Sequence, residues 1–210
     1  SGFTRDWCAR RGAHVAIAND PDADRLGAAI PQADGSWRRL GGDEIGWLFA
    51  DYLLSQGTGD DRLVVTTLVS SALLGKMAAA HGVQSAETFT GFKWIGRTIL
   101  DHPDLRFVLG YEQALGYLVA ERPLDKDGIS AAVLFAEIAA VAAADGRTLQ
   151  DWLDDIAARF GRHRLAVHDL QEYILQIRAA DLEILGLAAG LAQGGQDGLD
   201  LARIVGLDLH

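Results

Sequence analysis

The sequence Val15-Ala16-Ile17-Ala18-Asn19-Asp20-Pro21-Asp22-Ala23-Asp24-Arg25 joins a short apolar run to a loop with aspartates at three alternate positions. The apolar run predicts a buried strand. Three carboxylates at the end of one strand repel one another unless a cation lies among them, and hard divalent cations prefer carboxylate oxygens as ligands. The stretch therefore predicts a divalent-metal site at Asp20, Asp22 and Asp24. An acidic surface turn is the alternative, because Asp and Pro are common turn residues.

Two other kinds of aspartate-rich site fit the stretch less well. An EF-hand loop that begins at Asp20 needs glycine at its sixth position and glutamate at its twelfth, but Arg25 and Pro31 stand there. A phosphoaspartate site needs an activated nucleophilic aspartate, and no neighbouring residue indicates one. An arginine next to a cation instead suits a site that handles phosphate, because a guanidinium group binds phosphate oxygens in pairs.

The composition favours a soluble protein that binds a small ligand. The chain has 210 residues, enough for one large or two modest domains, and no run of the ~18 uncharged apolar residues that a membrane span needs. The net charge of -10 argues against nucleic-acid binding, although positive charge near Arg25 and Lys93 suits a small anion. The single cysteine, Cys8, excludes an internal disulfide, and the first residues do not resemble a signal peptide, so we expect a cytoplasmic protein.

Strand and helix patterns alternate along the chain and predict an α/β fold, with helices packed on a mixed or parallel sheet. We expect two α/β units followed by a helical C-terminal segment. The predicted strands are His14–Ala18, Leu26–Ile30, Leu63–Thr67, Val83–Ala86, Arg106–Leu109 and Tyr117–Ala120. The predicted helices are Asp43–Leu54, a helix from a Ser70 or Ser71 cap to His81, Trp94–Leu100, Gly128–Ala144, Thr148–Phe160 and Tyr173–Leu191. Ligands of such sheets bind beyond the carboxyl ends of strands, where loops 20–25, 87–96 and 110–116 are the candidates.

Six motifs, in order, resemble those of the α-D-phosphohexomutases, and most closely the bacterial phosphoglucomutase and phosphopentomutase branch, over about residues 13–161. The motifs are the aspartate loop 19–25, Gly41-Gly-Asp-Glu-Ile-Gly46, Thr66-Thr-Leu-Val-Ser-Ser71, Thr90-Gly-Phe-Lys-Trp-Ile-Gly96, Gly110-Tyr-Glu-Gln-Ala-Leu-Gly-Tyr117 and Asp125-Lys-Asp-Gly128. The resemblance implies that a phosphoryl group passes from an enzyme phosphoserine to a sugar phosphate and another is taken back, through a bisphosphorylated intermediate.

The resemblance also implies roles for individual residues. Asp20, Asp22 and Asp24 match the Mg²⁺ ligands of the family, whose fourth ligand is a phosphoserine oxygen. Arg25 matches the arginine beside that phosphoserine, where a bidentate donor stabilises charge on the transferring group. Lys126 matches a lysine that faces the phosphosugar, and we expect it to transfer a proton to or from a hydroxyl.

Two loops supply the residues expected to bind substrate: Thr90, Gly91, Lys93, Glu112, Gln113 and Ala114. The lysine of the first loop matches a phosphate-facing lysine, and Glu112 matches the first glutamate of the family's sugar-recognition loop, usually G-E-E-S-x-G. Gln113 and Ala114 depart from the second glutamate and the serine of that loop. The lost serine hydroxyl removes one hydrogen bond, worth about 0.5–1.5 kcal/mol, so we expect the sugar preference to be affected more than binding itself.

The resemblance predicts only part of a mutase. Residues 1–56 are expected to hold the end of the metal-loop (second) domain, residues 57–165 the sugar-loop (third) domain, and residues 166–210 an atypical, mainly helical tail. The family's catalytic serine motif, T-A-S-H-N or T-G-S-H-N, and its R-x-S-x-T-E-P phosphate loop occur nowhere in the 210 residues. We therefore expect a Mg²⁺-dependent fragment of a sugar 1-phosphate to 6-phosphate mutase that is inactive by itself.

Two alternatives remain open from the sequence. Beside the mutase fragment, the first alternative is a non-catalytic module that binds Mg²⁺ and a sugar phosphate of the glucose 1-phosphate or 6-phosphate class. The second is a degenerate fragment. Complementing domains and self-association are the protein partners that the first alternative implies. The sequence leaves open whether the sugar is glucose, mannose or a pentose.

Overall fold

The computed structural model describes residues 13–161, which lie within one compact unit. The strands are β1 (Ala16–Asn19), β2 (Leu26–Pro31), β3 (Trp37–Arg39), β4 (Arg62–Thr67), β5 (Gln84–Thr88), β6 (Arg106–Glu112) and β7 (Gly116–Leu118). The helices are α1 (Gly42–Gln56), α2 (Leu73–Ala80), α3 (Phe92–Asp101), α4 (Gly128–Ala144) and α5 (Leu149–Phe160). The predicted α/β class with a mixed sheet is confirmed, and the predicted elements that fall within residues 13–161 recur within a few residues of their predicted ends.

The first sheet carries the aspartate loop between two of its strands. It is antiparallel, with the order β1-β2-β3, and Asn19 pairs with Leu26 across the loop. Strand β3 was not predicted, because Trp37–Arg39 is short and two of its three residues are charged. It forms only by pairing with the exposed edge of β2, so its existence depends on a partner strand.

The second sheet is mixed and has the order β5-β4-β6-β7. Strand β4 is buried along its whole length and runs parallel to β5 and β6, whereas β7 is antiparallel to β6. The carboxyl ends of the three parallel strands therefore meet at one edge of the sheet. This edge carries Thr67, Thr88 and Glu112, the last residues of β4, β5 and β6.

One hydrophobic core connects both sheets through helix α1. This core contains residues of β2, β4, β6 and β7 together with residues of every helix except α3. Phe49 of α1 lies at its centre, with its ring centroid 5.2 Å from that of Tyr117 and 6.0 Å from that of Phe135. Ile45, Leu48 and Phe49 are fully buried, as the helical spacing predicts, and each contributes about 1.5–3 kcal/mol by burial.

Two predictions, one about strand β6 and one about the start of helix α2, were wrong in detail. Residues 110–112 were expected in a loop, but they continue β6, because β7 pairs with all three of them and β4 pairs with Gly110 and Tyr111. Helix α2 was expected to have a serine cap, but its cap position is Ala72 without a side-chain bond. Ser71 instead accepts a hydrogen bond from the Leu73 amide at 3.2 Å, one position before the expected geometry.

The domain boundary between residues 56 and 57 remains a prediction. Helix α1 precedes it and contacts β6, α2, α4 and α5. The predicted helix Tyr173–Leu191 and the tail 166–210 lie outside the described residues. Among residues 13–161, no single helix has the length and composition of a membrane span; α4 and α5 meet that test only as a pair bent by 91°.

Candidate functional site

The three aspartates of the loop between β1 and β2 converge on one small volume. One carboxylate oxygen from each of Asp20, Asp22 and Asp24 lies within 4.8 Å of the others. A tight turn produces this convergence: Ala23 has a φ of 59°, and its amide donates to the Asp20 carbonyl at 3.0 Å. The Arg25 amide donates to Asp20 Oδ1 at 3.1 Å, which closes the loop on itself.

The N-terminus of helix α4 holds this loop in place. The Gly128 amide donates to the Ala23 carbonyl at 3.1 Å. The backbones approach so closely that a Cβ at Gly128 would overlap the Arg25 carbonyl and the Asn19 side chain. The Asn19 side-chain Nδ2 in turn donates to the Arg25 carbonyl at 2.8 Å. The glycine of the Asp125–Gly128 motif is therefore needed for contact with the aspartate loop.

Further backbone bonds join the aspartate loop to the end of β6 and to β7. The Leu26 amide donates to the Leu115 carbonyl at 3.0 Å, and Arg25 forms an isolated bridge with Gly116. The Asp127 amide donates to the Tyr117 carbonyl at 2.9 Å. Three motifs that are far apart in the sequence thus meet at one place.

Two cationic side chains approach the aspartates from different elements. Arg25 Nε lies 3.9 Å from Asp20 Oδ2 and 3.8 Å from Asp24 Oδ1. Lys126 Nζ lies 2.6 Å from Asp24 Oδ2, and this hydrogen bond raises the pKa of Lys126. Desolvation raises the pKa of Asp20, but the Arg25 amide and other donors outweigh it and lower the pKa overall. The Asp20 carboxylate therefore remains anionic near neutral pH.

The residues present fit a hard divalent cation. Asp24 Oδ1 is buried and accepts no hydrogen bond from the described residues, which is costly for a carboxylate oxygen. A cation among the three carboxylates would satisfy this oxygen and reduce the repulsion between them. Because the donors are all carboxylate oxygens, Mg²⁺, Ca²⁺ and Mn²⁺ suit the set better than softer metals.

Glu112 joins the end of β6 to the loop before helix α3. Its side chain is buried, and Oε1 accepts a hydrogen bond from the Gly91 amide at 2.6 Å. Gly91 has a φ of 114°, a conformation that side-chain-bearing residues rarely adopt. The structure thus brings together two of the predicted substrate-binding segments, whereas Thr90 and Ala114 are exposed beside them.

Lys93 lies on the exposed side of the first turn of α3. Its Nζ is 5.1 Å from the centroid of the Trp94 ring. Lys126, by contrast, is only partly exposed and touches Asp24. The structure therefore separates the two predicted lysines by environment, one on the surface and one inside the cluster.

A polar network holds Gln113 in the turn between β6 and β7. The Gln113 amide donates to Ser70 Oγ at 3.1 Å, and Ser70 Oγ donates to Gln113 Oε1 at 3.3 Å. Ser70 Oγ also lies 2.9 Å from Thr67 Oγ1 at the end of β4. From the sequence, Ser70 was expected only as a helix cap, although it lies in the Thr66–Ser71 motif. Its contact with Gln113 joins residues 43 positions apart in the chain, beyond the reach of local patterns.

Asp43 supports the same turn from the first turn of α1. Its Oδ1 accepts hydrogen bonds from the Ser71 amide at 2.8 Å and the Tyr111 hydroxyl at 3.1 Å. Burial raises the pKa of Asp43, although both donors oppose the shift. Burial raises the pKa of Tyr111 well above its usual range, so the hydroxyl stays protonated as a donor. Sequence reasoning missed both residues as parts of the site.

Comparisons with known proteins agree with this arrangement. The family model described as phosphoglucomutase/phosphomannomutase, alpha/beta/alpha domain III, matches residues 41–160. The chain is 40% identical over 168 residues to a Haemophilus influenzae protein assigned as a phosphomannomutase, which covers 77% of this chain and 33% of that protein. It is 37% identical over 161 residues to the phosphopentomutase of Mus musculus, covering 72% of this chain and 26% of that protein.

A solved structure shows the same architecture. The crystal structure of a Thermus thermophilus protein assigned as a phosphomannomutase aligns with a TM-score of 0.62 at 26% identity, covering 76% of this chain and 34% of that one. The chain spans about a quarter to a third of the length of the relatives it matches.

Proposed function

This chain belongs to the phosphoglucomutase/phosphomannomutase family, and we propose that it forms the cation-binding and sugar-recognition part of a sugar-phosphate mutase. One observation carries the proposal. The aspartate loop, the end of β6 with the turn that follows it (residues 112–115, the Glu112 turn) and Lys126 come from three separate motifs and meet through direct contacts. Such convergence would bring a cation next to groups that suit a phosphosugar. An acidic surface turn would not require these three motifs to meet.

The aspartate loop has the groups needed beside a transferring phosphoryl group. Asp20, Asp22 and Asp24 would hold Mg²⁺, and Arg25 lies beside two of them with donors that suit phosphate oxygens. A bound divalent cation supplies positive charge that stabilises the charge on the transferring group. The guanidinium group adds to this stabilisation with directed N–H donors, because its planar shape matches two phosphate oxygens at once.

The Glu112 turn suits recognition of sugar hydroxyls. Glu112 Oε1 is held by the Gly91 amide, so the carboxylate is oriented before a ligand arrives. A carboxylate can accept hydrogen bonds from two adjacent hydroxyls. Lys126 and Lys93 would bind phosphate or, for Lys126, move a proton at a sugar hydroxyl. Gln113 Oε1 is engaged by Ser70, so its amide N–H groups are the part of Gln113 left for a ligand.

We propose that the phosphoserine of the reaction comes from outside these 210 residues. No T-A-S-H-N or T-G-S-H-N motif occurs in the sequence, and the matched part of this chain covers only 33% and 26% of the two relatives named as mutases. The chain would then bind cation and sugar phosphate but transfer no phosphoryl group by itself. A segment that supplies the serine would complete the mutase, and hexose and pentose 1-phosphates are the substrate class to test.

Calorimetry tests this proposal with the 210-residue chain. We expect glucose 1-phosphate or ribose 1-phosphate to bind in the presence of Mg²⁺, and Glu112→Gln to weaken that binding. Glu137→Gln is the matched control, because Glu137 lies on α4 and accepts a hydrogen bond only from Tyr52 among its described contacts. Absence of binding in wild type, or equal binding by wild type and Glu112→Gln, would contradict the proposed role of the turn.

A further inference from the structure

The carboxylate of Asp24 has two different surroundings. Its Oδ2 is 2.6 Å from Lys126 Nζ, whereas its Oδ1 is buried and accepts no hydrogen bond from the described residues. One oxygen of this carboxylate, one of Asp20 and one of Asp22 all lie within 4.8 Å of one another. Asp24 is therefore the one aspartate of the loop that belongs both to the cation cluster and to an ammonium ion pair.

Two positive charges on one carboxylate repel each other. A divalent cation held by the three aspartates would lie only a few ångströms from the Lys126 ammonium group. Because the Lys126 side chain is only 22% exposed, water screens this repulsion incompletely. The ion pair and the cation must therefore weaken each other, whichever oxygen of Asp24 the cation uses.

Lys126 also contacts groups outside the aspartate loop, among them Asp125, whose Oδ1 lies 3.7 Å from Nζ. The Lys126 side chain packs beside Gly116, where a Cβ would lie 3.0 Å from Lys126 Cδ, and Nζ is 5.9 Å from the centroid of Phe92. Phe92 follows Gly91, the residue that donates to Glu112. The lysine thus lies between the aspartate loop and the turn proposed to bind the sugar.

We propose that Lys126 and the divalent cation are antagonists at Asp24, so that cation binding releases the Lys126 ammonium group for an anionic sugar ligand. This inference rests on the cation site of the proposed function and adds an order of events to it. The cation binds first, and Lys126 then becomes available to the sugar ligand. Coupling between two binding events is reciprocal, so Lys126 lowers the affinity for the cation by the same factor by which the cation weakens the ion pair.

Titration with Mn²⁺, followed by the electron paramagnetic resonance signal of the free ion, tests the first half of the proposal. Removing one positive charge a few ångströms from a divalent ion should tighten its binding about tenfold, so we expect this gain for Lys126→Met. Lys76→Met makes the same substitution on helix α2, an element that carries none of the aspartates. We expect it to change the affinity less than about twofold.

Acylation of lysines by an amine-reactive ester, quantified by mass spectrometry of the digest, tests the second half. Only the neutral amine attacks the ester, and a lysine freed from a carboxylate releases its proton to solvent more readily. Mg²⁺ should therefore accelerate modification of Lys126 in wild type about threefold, the size expected for a partly exposed ion pair. In Asp24→Asn the rate should be high and independent of Mg²⁺. Lys76, on helix α2, provides the internal reference in the same digest.

The outcomes separate this inference from the proposed function. If Mn²⁺ binds wild type and Lys126→Met equally, or binds Lys126→Met more weakly, the antagonism is wrong while the cation site stands. The antagonism is also wrong if Mg²⁺ leaves the rate at Lys126 unchanged. If Mn²⁺ binds neither protein at millimolar concentration, the cation site is wrong, and the inference falls with it.

Discussion

The aspartate loop and the Glu112 turn lie side by side, but they are built in opposite ways. The loop is partly exposed, and backbone bonds from α4 and β7 fix its shape, while its three carboxylates converge on one volume and Asp24 is paired with Lys126. The Glu112 turn is part of the buried sheet edge, and its polar groups already have partners in Ser70, Asp43 and Gly91. Changes in the loop should therefore alter binding alone, whereas changes in the turn should alter stability and binding together.

The largest expected effect is at Gly42, where helix α1 touches the turn. A Cβ at this position would overlap the Gln113 carbonyl and main chain, so Gly42→Ala must push the helix and the turn apart. We expect the free energy of unfolding to fall by about 3 kcal/mol, measured by urea denaturation.

Gly75→Ala is the control for this substitution. Gly75 lies inside helix α2, where a Cβ would meet Ser85 Oγ at an ordinary 3.6 Å. Alanine favours the helix by about 0.5–1 kcal/mol, so this variant should be as stable as wild type or more so. Equal stability of the two variants would show that α1 and the turn are not tightly packed.

The next effect is at the loop and should concern binding without stability. Asp22→Asn removes one carboxylate from the cluster, and we expect Mn²⁺ affinity to fall by about 2 kcal/mol, roughly 30-fold. The free energy of unfolding should change by less than about 0.5 kcal/mol or rise, because Asp22 is exposed and like charges repel. Unchanged tight binding in this variant would contradict the assignment of the three aspartates.

Ser70→Ala should show both effects at once. It removes the acceptor of the Gln113 amide and the contact with Thr67 Oγ1, which should cost about 1–1.5 kcal/mol of stability. Sugar-phosphate binding should weaken with it, while Mn²⁺ affinity stays the same. Ser36→Ala, at an exposed turn, is the control. Loss of Mn²⁺ binding in Ser70→Ala would mean that the loop and the turn are not independent.

The smallest effect is pH-dependent and concerns Asp43. Its pKa is raised in the folded protein, so the unfolded chain holds fewer protons there, and the contribution of Asp43 to stability is lost as pH rises through the folded pKa. Asp43→Asn keeps an acceptor for Ser71 and Tyr111 without the charge. We expect it to gain about 0.5 kcal/mol at pH 7.

This gain should disappear as the pH falls below the usual value of 3.8, where wild-type Asp43 is protonated in both states. Denaturation at several pH values measures it. A gain that does not depend on pH would point to a packing effect instead of the buried charge.

The sequence by itself determined the α/β class, most of the elements and the aspartate loop. These rest on local signals: β-branched runs, helical spacing and Asp–Pro turns each act within a few residues. The order of the six motifs was also readable, because it needs no knowledge of which segments touch.

Only the tertiary structure decided how the motifs work together. Strand β3 exists because β2 offers an edge, and residues 110–112 form strand because β4 and β7 pair with them. The Ser70 contact with Gln113 and the Lys126 contact with Asp24 join residues 43 and about 100 positions apart. Pairings at such separations depend on how the chain closes on its core, and no local pattern of residues encodes them.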